Sequence, residues 1–265
     1  SDLDKVIEQM LDKPTGMNLR AMINMSQTYG PAHYAEALSA PPTESGTSHF
    51  SIIDEDGNAV ALTSSVNEAF GAKFVSDSTG ILCNNQIDDF STGNQPNTYG
   101  LYPAELNQVE PGKRPLSSMS PTIAVHNNLP YLIVGASGGP KIISSTLQTI
   151  INVMDFGDDL ATAIAAPRLH HQLLPNRVSM ESINNETCAM TESFESPTGE
   201  SAWSYWSTIC SSLKVLQHNI EDTTANGCVQ AVKQLYSLPT DAGAPRRVIT
   251  ATSDPRKKGL AVAVG

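Results

Sequence analysis

Residues 47–65 constrain the fold of this chain most strongly, because two runs of strand-forming residues lie on either side of one turn sequence. The runs are residues 47–53 and 58–65, and Asp54-Glu55-Asp56-Gly57 separates them. An Asp-Gly pair between two such runs favours a tight reversal of the backbone. The sequence therefore predicts an antiparallel β-hairpin that begins at Thr47.

The rest of the chain alternates between predicted strands and helices. A second hairpin is expected over 122–135, turning at 127–130. Ser137-Gly138-Gly139-Pro140 then leads into a largely buried helix, whose apolar residues recur about every four positions up to Met154. Further helices are expected over 3–12, 17–25 and 159–166, a Pro-, Ser- and Gly-rich linker over 29–46, and strands over 228–235, 247–252 and 260–264. This order predicts an α+β layered domain.

Charge and cysteine content exclude several classes of function. The 265 residues include 16 Lys and Arg against 27 Asp and Glu, a net charge of −11, which argues against a nucleic-acid partner. No apolar run reaches the roughly 18 residues that a membrane span needs. The four Cys form no CxxC pair and no HExxH motif occurs, so we expect neither a metal nor another cofactor.

Thr47 lies where the linker meets the first predicted strand, in Gly46-Thr47-Ser48-His49. A Thr hydroxyl is a weak nucleophile that needs a base, and a free α-amine on the same residue, with a pKa of roughly 7.7–8.0, would supply one. Cleavage between Gly46 and Thr47 would create that amine. On this segment alone, an ordinary residue at the start of a strand is the alternative interpretation. We interpret His49 as a packing or hydrogen-bonding residue. We do not expect His170 and His171 to bind a metal, because adjacent side chains point in different directions and no third ligand is near them in the sequence.

Several segments of the chain resemble the γ-glutamyltransferases, also called glutathione hydrolases, a family of N-terminal-nucleophile hydrolases. The segments follow the family's order across residues 47–176, with a weaker match at 253–257. They are Gly46-Thr47-Ser48-His49-Phe50-Ser51, Thr63-Ser64-Ser65-Val66-Asn67, Asn84-Asn85-Gln86-Ile87-Asp88-Asp89, Pro115-Leu116-Ser117-Ser118, Val134-Gly135-Ala136-Ser137-Gly138-Gly139 and Pro167-Arg168-Leu169-His170-His171.

The resemblance implies a fold and a division of the chain. The implied fold is the α+β, four-layer αββα sandwich of the N-terminal-nucleophile hydrolases. Residues 1–46 would be the end of a large subunit with a linker, and residues 47–265 the small catalytic subunit. We expect most of the large subunit to be absent here, including the family's Arg that pairs with the substrate's α-carboxylate, because no residue before Thr47 matches that motif.

The resemblance also implies a role for each matching residue. Thr47 would be the nucleophile, released by cleavage of the Gly46–Thr47 bond, and Ser65 would hydrogen-bond it. The α-amino and α-carboxylate groups of the substrate would be held by Asn67, Gln86, Asp89, Ser117 and Ser118. The main-chain N–H groups of Gly138 and Gly139 would form the oxyanion hole, which suits glycines exposed at the start of a helix.

The function implied by the resemblance is glutathione hydrolysis and γ-glutamyl transfer through a Thr47 acyl-enzyme. Expected partners are glutathione and other γ-glutamyl compounds, acceptor amino acids or dipeptides, and the large subunit of the same precursor. The alternative is a catalytically silent or truncated family member that acts as a secreted binding protein. The expected location is extracellular, which the sequons at Asn24 and Asn185 favour, and in a secreted protein we expect Cys188 and Cys210 to close the polar loop between them.

Overall fold

The computed structural model describes residues 2–35, 46–91, 104–191, 205–236 and 247–263. Within these ranges the α-helices are α1 (Asp2–Leu11), α2 (Lys13–Ala21), α3 (Lys141–Met154), α4 (Leu160–Ala165) and α5 (Trp206–Val215). The strands are β1 (Thr47–Ile53), β2 (Ala59–Ser65), β3 (Thr122–His126), β4 (Leu129–Ser137), β5 (Leu169–His170), β6 (Val178–Glu181), β7 (Ile220–Thr223), β8 (Cys228–Tyr236) and β9 (Arg247–Ser253). The predicted α+β class is confirmed. None of the described helices is long and apolar enough to cross a bilayer.

The first predicted hairpin is formed by β1 and β2, which pair antiparallel from Thr47 opposite Ser65 to Ile53 opposite Ala59. Gly57 in the connecting turn has φ of +89°, a conformation that glycine adopts without strain. Thr47 and His49 point inward and are buried. The alternate residues Phe50 and Ile52 point outward and are about half exposed. The hairpin therefore has one face against the rest of the protein and one open apolar face.

A four-stranded antiparallel sheet, in the order β3-β4-β8-β9, forms the centre of the described structure. Its first two strands are the second predicted hairpin, which turns at Asn127 and Asn128 with φ of 51° and 61°. Two consecutive residues with positive φ are typical of a type I′ turn, whose backbone twist matches the right-handed twist of the two strands. The central residues Leu132, Ile133 and Val134 are fully buried, since this strand lies between two layers.

Helices α3 and α4 cover one face of this sheet, and the β1-β2 hairpin packs on the other face against β4 and β8. The His49 ring lies directly over Gly135, where an added Cβ would be only 2.3 Å from a ring atom. Ser51 Oγ donates to the carbonyl of Gln230 on β8 at 3.0 Å. These contacts stack helices, sheet and hairpin as three layers of the expected four-layer sandwich.

The burial of α3 differs from the prediction. Only one side of the helix is buried, whereas Ile143, Leu147 and Met154 are at least half exposed. The reason is that the apolar side chains of α3 lie on more than one face of the helix, whereas the sheet contacts a single face. The sequence also predicts a strand over 260–264, but residues 258–263 form none, and Leu260 is 84% exposed.

A smaller sheet of β5, β6 and β7 lies beside α5. The predicted disulfide between Cys188 and Cys210 is present and fixes α5 to the chain after β6. Trp206 is buried there and its Nε1 donates to the carbonyl of Glu181 at 2.8 Å. The part of this loop that carries Trp206 therefore folds back onto the protein, whereas Trp203 lies outside the described residues.

Candidate active site

Thr47 begins the inner strand of the hairpin and is only 2% exposed. Its Oγ1 lies 2.9 Å from Ser65 Oγ, directly across the strand pair. The Asn67 N–H donates to Ser65 Oγ at 2.9 Å, which occupies one lone pair of that hydroxyl. The Ser65 hydroxyl can therefore accept a hydrogen bond from Thr47 Oγ1 and donate its own hydrogen to another acceptor.

That other acceptor is the carbonyl of Gly46, on the peptide bond that precedes Thr47. Ser65 Oγ lies 3.5 Å from Gly46 O, which also accepts from the Val66 N–H at 3.0 Å. An added Cβ at Gly46 would lie 2.2 Å from the carbonyl oxygen of Glu68, so no larger residue fits without moving the backbone. The predicted cleavage bond is thus held in place, with the Ser65 hydroxyl near its carbonyl oxygen and the Thr47 hydroxyl bonded to that of Ser65.

The residues predicted to hold the substrate's amino group supply a cluster of acceptors without partners. Among the described residues, buried side-chain atoms that lack a hydrogen bond include Asn67 Oδ1, Gln86 Oε1 and Asp89 Oδ1. The other carboxylate oxygen of Asp89 accepts from Gln86 Nε2. A buried acceptor without a partner is costly, and these belong to two amides and one carboxylate. The chemistry that satisfies them is a cation with several N–H donors.

Asp89 is 2% exposed, and burial raises the pKa of its carboxyl, while the hydrogen bond from Gln86 offsets part of that rise. A raised pKa means that the charged form is poorly compensated inside the protein. An ammonium bound beside the carboxylate would remove this penalty. The electrostatics of Asp89 therefore agree with the unpaired acceptors around it.

Two asparagines without a role predicted from the sequence, Asn85 and Asn107, position this cluster. The Asn85 carbonyl accepts from Asn67 Nδ2 at 3.1 Å, and Asn85 Oδ1 accepts from the Glu68 N–H at 3.0 Å. Asn107 Nδ2 donates to the carbonyl of Asp89 at 2.8 Å, and its Oδ1 accepts from the Leu116 N–H at 2.9 Å. Asn85 was within a matching segment, whereas Asn107 carried no sequence signal.

Through Asn107, the segment with Ser117 and Ser118 is tied to the Asp89 turn. Ser118 is buried, whereas Ser117 is exposed and its Oγ accepts from the Met119 N–H at 3.2 Å. Neither serine makes a hydrogen bond to Thr47 within the described part of the chain. The structure brings this segment to the acceptor cluster through an intervening residue, and the assignment of the two hydroxyls to the carboxylate remains a prediction.

Gly138 and Gly139 follow β4 and precede α3, with φ of +129° and +59°. An added Cβ at Gly138 would lie 2.8 Å from Gly227 Cα, so this turn packs backbone against backbone. Within the described ranges, neither glycine N–H donates a hydrogen bond to another protein group. The turn therefore presents free donors at the start of a helix, as the oxyanion-hole prediction requires.

Lys257 joins the glycine turn to the nucleophile. Its Nζ donates to Thr47 O at 3.0 Å and lies 3.5 Å from Ser137 Oγ, the residue before Gly138. The only sequence signal for this lysine was the weaker match at residues 253–257. Its position shows that Thr47 and the end of β4 lie within one side chain's reach of each other.

A buried ion cluster fixes the turn that carries Lys257. Arg168 Nη2 donates to Asp254 Oδ2 at 2.8 Å, and the same carboxylate accepts from the Val229 N–H. Arg256 pairs with both Asp254 and Glu181. Burial alone would raise the pKa of Asp254, but the two guanidinium groups and main-chain donors lower it overall. The matching segments around residues 168 and 254 thus meet in one cluster.

The histidines and the two sequon asparagines named in the sequence analysis have the following contacts. His49 Nδ1 lies 2.7 Å from Thr63 Oγ1, and burial lowers its pKa to about 4. His170 Nδ1 lies 2.7 Å from Ser144 Oγ. No group of three or more His, Cys, Asp or Glu in the described ranges could hold a metal. Asn24 and Asn185 are partly exposed, and Asn24 Nδ2 donates to Tyr29 Oη at 2.8 Å.

Comparison with known proteins links this geometry to one family. A family profile described as Gamma-glutamyltranspeptidase matches residues 1–264. The Glutathione hydrolase proenzyme of Escherichia coli (strain K12) is 48% identical over 143 residues, which are 54% of this chain and 25% of that protein. The solved structure of the Helicobacter pylori gamma-glutamyltranspeptidase T380A mutant is 36% identical, with a TM-score of 0.62 over 79% of this chain and 99% of that one.

A second relative differs in its stated activity. The Putative inactive glutathione hydrolase 4 of Arabidopsis thaliana is 43% identical over 182 residues, which are 68% of this chain and 95% of that protein. By contrast, the chain spans about a quarter of the length of the E. coli relative. The similarity to the proenzyme thus covers one part of it, whereas the similarity to the Arabidopsis protein covers nearly all of it.

Proposed function

Because this chain belongs to the gamma-glutamyltranspeptidase family and has its N-terminal-nucleophile hydrolase fold, we propose that it is the catalytic part of a glutathione hydrolase and γ-glutamyltransferase. The observation that carries the proposal is the meeting of two features. The hydroxyls of Thr47 and Ser65 lie 2.9 Å apart, with Ser65 Oγ 3.5 Å from the Gly46 carbonyl oxygen. Three unpaired acceptors lie on Asn67, whose N–H donates to Ser65, and on Gln86 and Asp89. The pair of hydroxyls suits acyl transfer, and the unpaired acceptors suit the ammonium group of an amino acid.

Maturation is the first step of the proposed mechanism. Thr47 Oγ1 attacks the Gly46 carbonyl carbon while its proton passes to the Ser65 hydroxyl, which in turn gives its own hydrogen to Gly46 O, so that a neutral tetrahedral intermediate forms. When this intermediate collapses, the C–N bond breaks, the relayed proton moves to the leaving nitrogen, and that nitrogen becomes the α-amine of Thr47, while the new C–O bond remains as an ester. Water then opens the ester, which leaves a carboxylate on Gly46 and restores the Thr47 hydroxyl.

Turnover repeats this chemistry on a substrate. The α-amine takes the proton of Thr47 Oγ1 as the oxygen attacks the γ-carbonyl, and the developing oxyanion is stabilised by the N–H groups of Gly138 and Gly139. The protonated amine gives its proton to the leaving nitrogen, and an ester with the γ-glutamyl group remains. Water or the amino group of an acceptor amino acid or dipeptide then takes the γ-glutamyl group and frees Thr47.

Substrate binding is proposed to use both ends of the glutamyl backbone. The α-ammonium would donate to Asn67, Gln86 and Asp89, whose free atoms are acceptors. The α-carboxylate would accept from the hydroxyls of Ser117 and Ser118. The donor would thus be glutathione or another γ-glutamyl compound, since these present both free groups beside a γ-amide.

A large subunit of the same precursor is the proposed protein partner, with residues 1–46 at its end and residues 47–265 as the small subunit. The open face of the hairpin supports this, because Phe50, Val60 and Leu62 are each about half exposed on it. The disulfide and the partly exposed sequons support an extracellular location.

A catalytically silent protein is the second candidate, and the similarity to the putative inactive Arabidopsis relative favours it. The two candidates differ in what they require of Thr47. An enzyme needs the free amine and hydroxyl of Thr47, whereas a silent protein would use the same fold without cleavage or turnover.

The test is expression of the complete precursor with Thr47, with Thr47→Ala, and with Thr63→Ala as a matched control on the same hairpin. We expect the wild type and the control to yield a fragment that begins at Thr47 and to release p-nitroaniline from γ-glutamyl-p-nitroanilide, whereas Thr47→Ala stays uncleaved and inactive. A new N-terminus at Ser48 would contradict the mechanism. An uncleaved wild type without turnover would support the silent alternative.

A further inference from the structure

The one cation that contacts the nucleophile residue within the described part of the chain is Lys257. Its Nζ donates to the main-chain oxygen of Thr47 at 3.0 Å, although Lys257 itself is largely exposed and Thr47 is buried. Since N and O of one residue are separated by three covalent bonds, the ammonium lies within about 7 Å of the Thr47 nitrogen. A cation at this distance acts on both the orientation and the charge of that nitrogen.

The backbone that carries Lys257 is fixed by contacts of the turn over residues 254–257. The Lys257 N–H bonds to Asp254 O at 3.2 Å, and the Asp254 carboxylate is held by Arg168, Arg256 and the Val229 N–H. The turn therefore cannot shift without breaking a buried ion pair. A long side chain on a fixed turn loses less freedom when its end is bound.

We propose that Lys257 is a positioning residue for Thr47, which holds its carbonyl and favours the neutral form of the α-amine that cleavage releases. This inference rests on the proposed function, because only an N-terminal Thr47 has such an amine. The physical reason is that a like charge nearby disfavours protonation of an amine. A neutral amine is the form that accepts the proton of the nucleophile.

Neighbouring side chains do not supply the same charge. His49 on β1 is neutral near pH 7, since burial lowers its pKa to about 4. Strand β2 carries no ionisable residue, and on β4 Tyr131 lies towards the opposite end from Ser137. On β8, Lys233 pairs opposite Leu132, far from the end that pairs with Ser137.

Two other lysines lie near this end in the sequence: Lys141 at the start of α3, whose Nζ donates to the carbonyl of Ala225 at 2.9 Å, and the exposed Lys258 on the same turn as Lys257. Neither makes a hydrogen bond to Thr47 within the described residues.

The other ionisable groups at this end are paired, neutral or of opposite sign. Burial raises the pKa of the Cys228 thiol, so it stays neutral. Asp254 and Arg256 satisfy each other and their buried partners. Asp89 is an anion when ionised, so it supplies no positive charge. Within the described residues, Lys257 is thus the cation that contacts Thr47.

The experiment compares Lys257→Met, Lys257→Arg and Lys258→Met in the processed protein with its large subunit. Lys258 is the matched control, because it is exposed and its ammonium makes no hydrogen bond to a described residue. The first measurement is kcat/KM for γ-glutamyl-p-nitroanilide against pH. The second is the pH dependence of acetylation of the Thr47 amine by acetic anhydride, followed by mass spectrometry, which needs no turnover.

We expect Lys257→Met to move the acidic limb of the pH profile and the acetylation midpoint upward by about half to one pH unit. Its kcat at the plateau should fall about tenfold, since the nucleophile is less well oriented. Lys257→Arg should restore both midpoints, and Lys258→Met should leave them unchanged.

Two outcomes overturn the inference while leaving the proposed function intact: an unchanged acetylation midpoint in a cleaved, active Lys257→Met protein, or an equal shift in Lys258→Met. A wild-type protein that is never cleaved before Thr47 would overturn both the inference and the proposed function.

Discussion

Asp89 offers the sharpest test of the proposed site, through the substitution Asp89→Asn. The change keeps the shape of the side chain and removes its charge. In the structure one oxygen of Asp89 accepts from Gln86, while the other has no partner and lies buried. If a substrate ammonium binds there, the substitution leaves that cation inside the protein without its anion.

The size of the effect follows from the burial of the carboxylate. Asp89 is 2% exposed, so solvent cannot replace the lost charge. Removing one partner of a buried ion pair costs roughly 3–5 kcal/mol, which corresponds to a fall of about 10²- to 10⁴-fold in kcat/KM. We expect most of this loss in KM, because the ammonium is distant from the bond that breaks. Cleavage at Thr47 should still occur.

Whereas Asp89→Asn should lower kcat/KM, it should not lower the stability of the fold. The raised pKa of Asp89 means that the folded protein binds a proton there more readily than the unfolded chain does. The ionised carboxylate therefore destabilises the fold at pH values above its native pKa, and this cost vanishes below the unfolded value of about 3.9. Near neutral pH, Asp89→Asn should leave the melting temperature equal or higher.

The assay pairs steady-state kinetics on γ-glutamyl-p-nitroanilide with thermal unfolding of the same preparations. Asp77→Asn is the control, since this carboxylate is exposed and makes no hydrogen bond to a described residue. An unchanged KM in Asp89→Asn, or a melting temperature that drops by several degrees, would refute the reasoning, because Asp89 would then be a structural residue.

Three further predictions concern the surroundings of the site. Gly138→Ala should lower kcat by about 10²- to 10³-fold in the p-nitroaniline assay, because the new Cβ meets another backbone at 2.8 Å and displaces the N–H donors. Asp254→Ala should lower the free energy of unfolding in urea by roughly 3–5 kcal/mol at pH 7. In the wild type, the contribution of this carboxylate with its lowered pKa should be lost only as the pH falls below about 4. The double substitution of Cys188 and Cys210 by Ser should cost about 3 kcal/mol of stability in the same urea titration, and non-reducing peptide mapping of the wild type should recover the two cysteines linked.

The sequence predicts best those elements whose signals are local. The hairpin at Thr47 and the helix from Lys141 follow from strand-forming runs, turn residues and spacing, and their bounds agree closely with the structure. The buried face of α3 was less predictable, because periodicity does not say how many of its sides are covered. The strand predicted over 260–264 was wrong for a similar reason, because a local pattern does not say what a segment packs against. Its apolar residues suit a strand, yet nothing in the described structure pairs with them.

The residues of the site also fall into those that a local sequence signal identifies and those that it does not. Matching segments identify Thr47, Ser65 and Asp89, and the structure places Ser65 against Thr47. Asn107 and Lys257 were missed because they act across the fold, through hydrogen bonds between segments far apart in the chain. A single asparagine or lysine carries no local pattern that reports such a contact.

The packing of β1 has a consequence for the order of a newly cut chain end. The first residues of a protein normally fray, because few contacts hold them. Here Thr47 would become an end that pairs with Ser65, while His49 fills the space over Gly135 and Ser51 bonds to β8. Those amides just after Thr47 that bond to β2 should therefore exchange their hydrogens far more slowly than the amides of an ordinary chain end, so that this terminus is ordered instead of frayed.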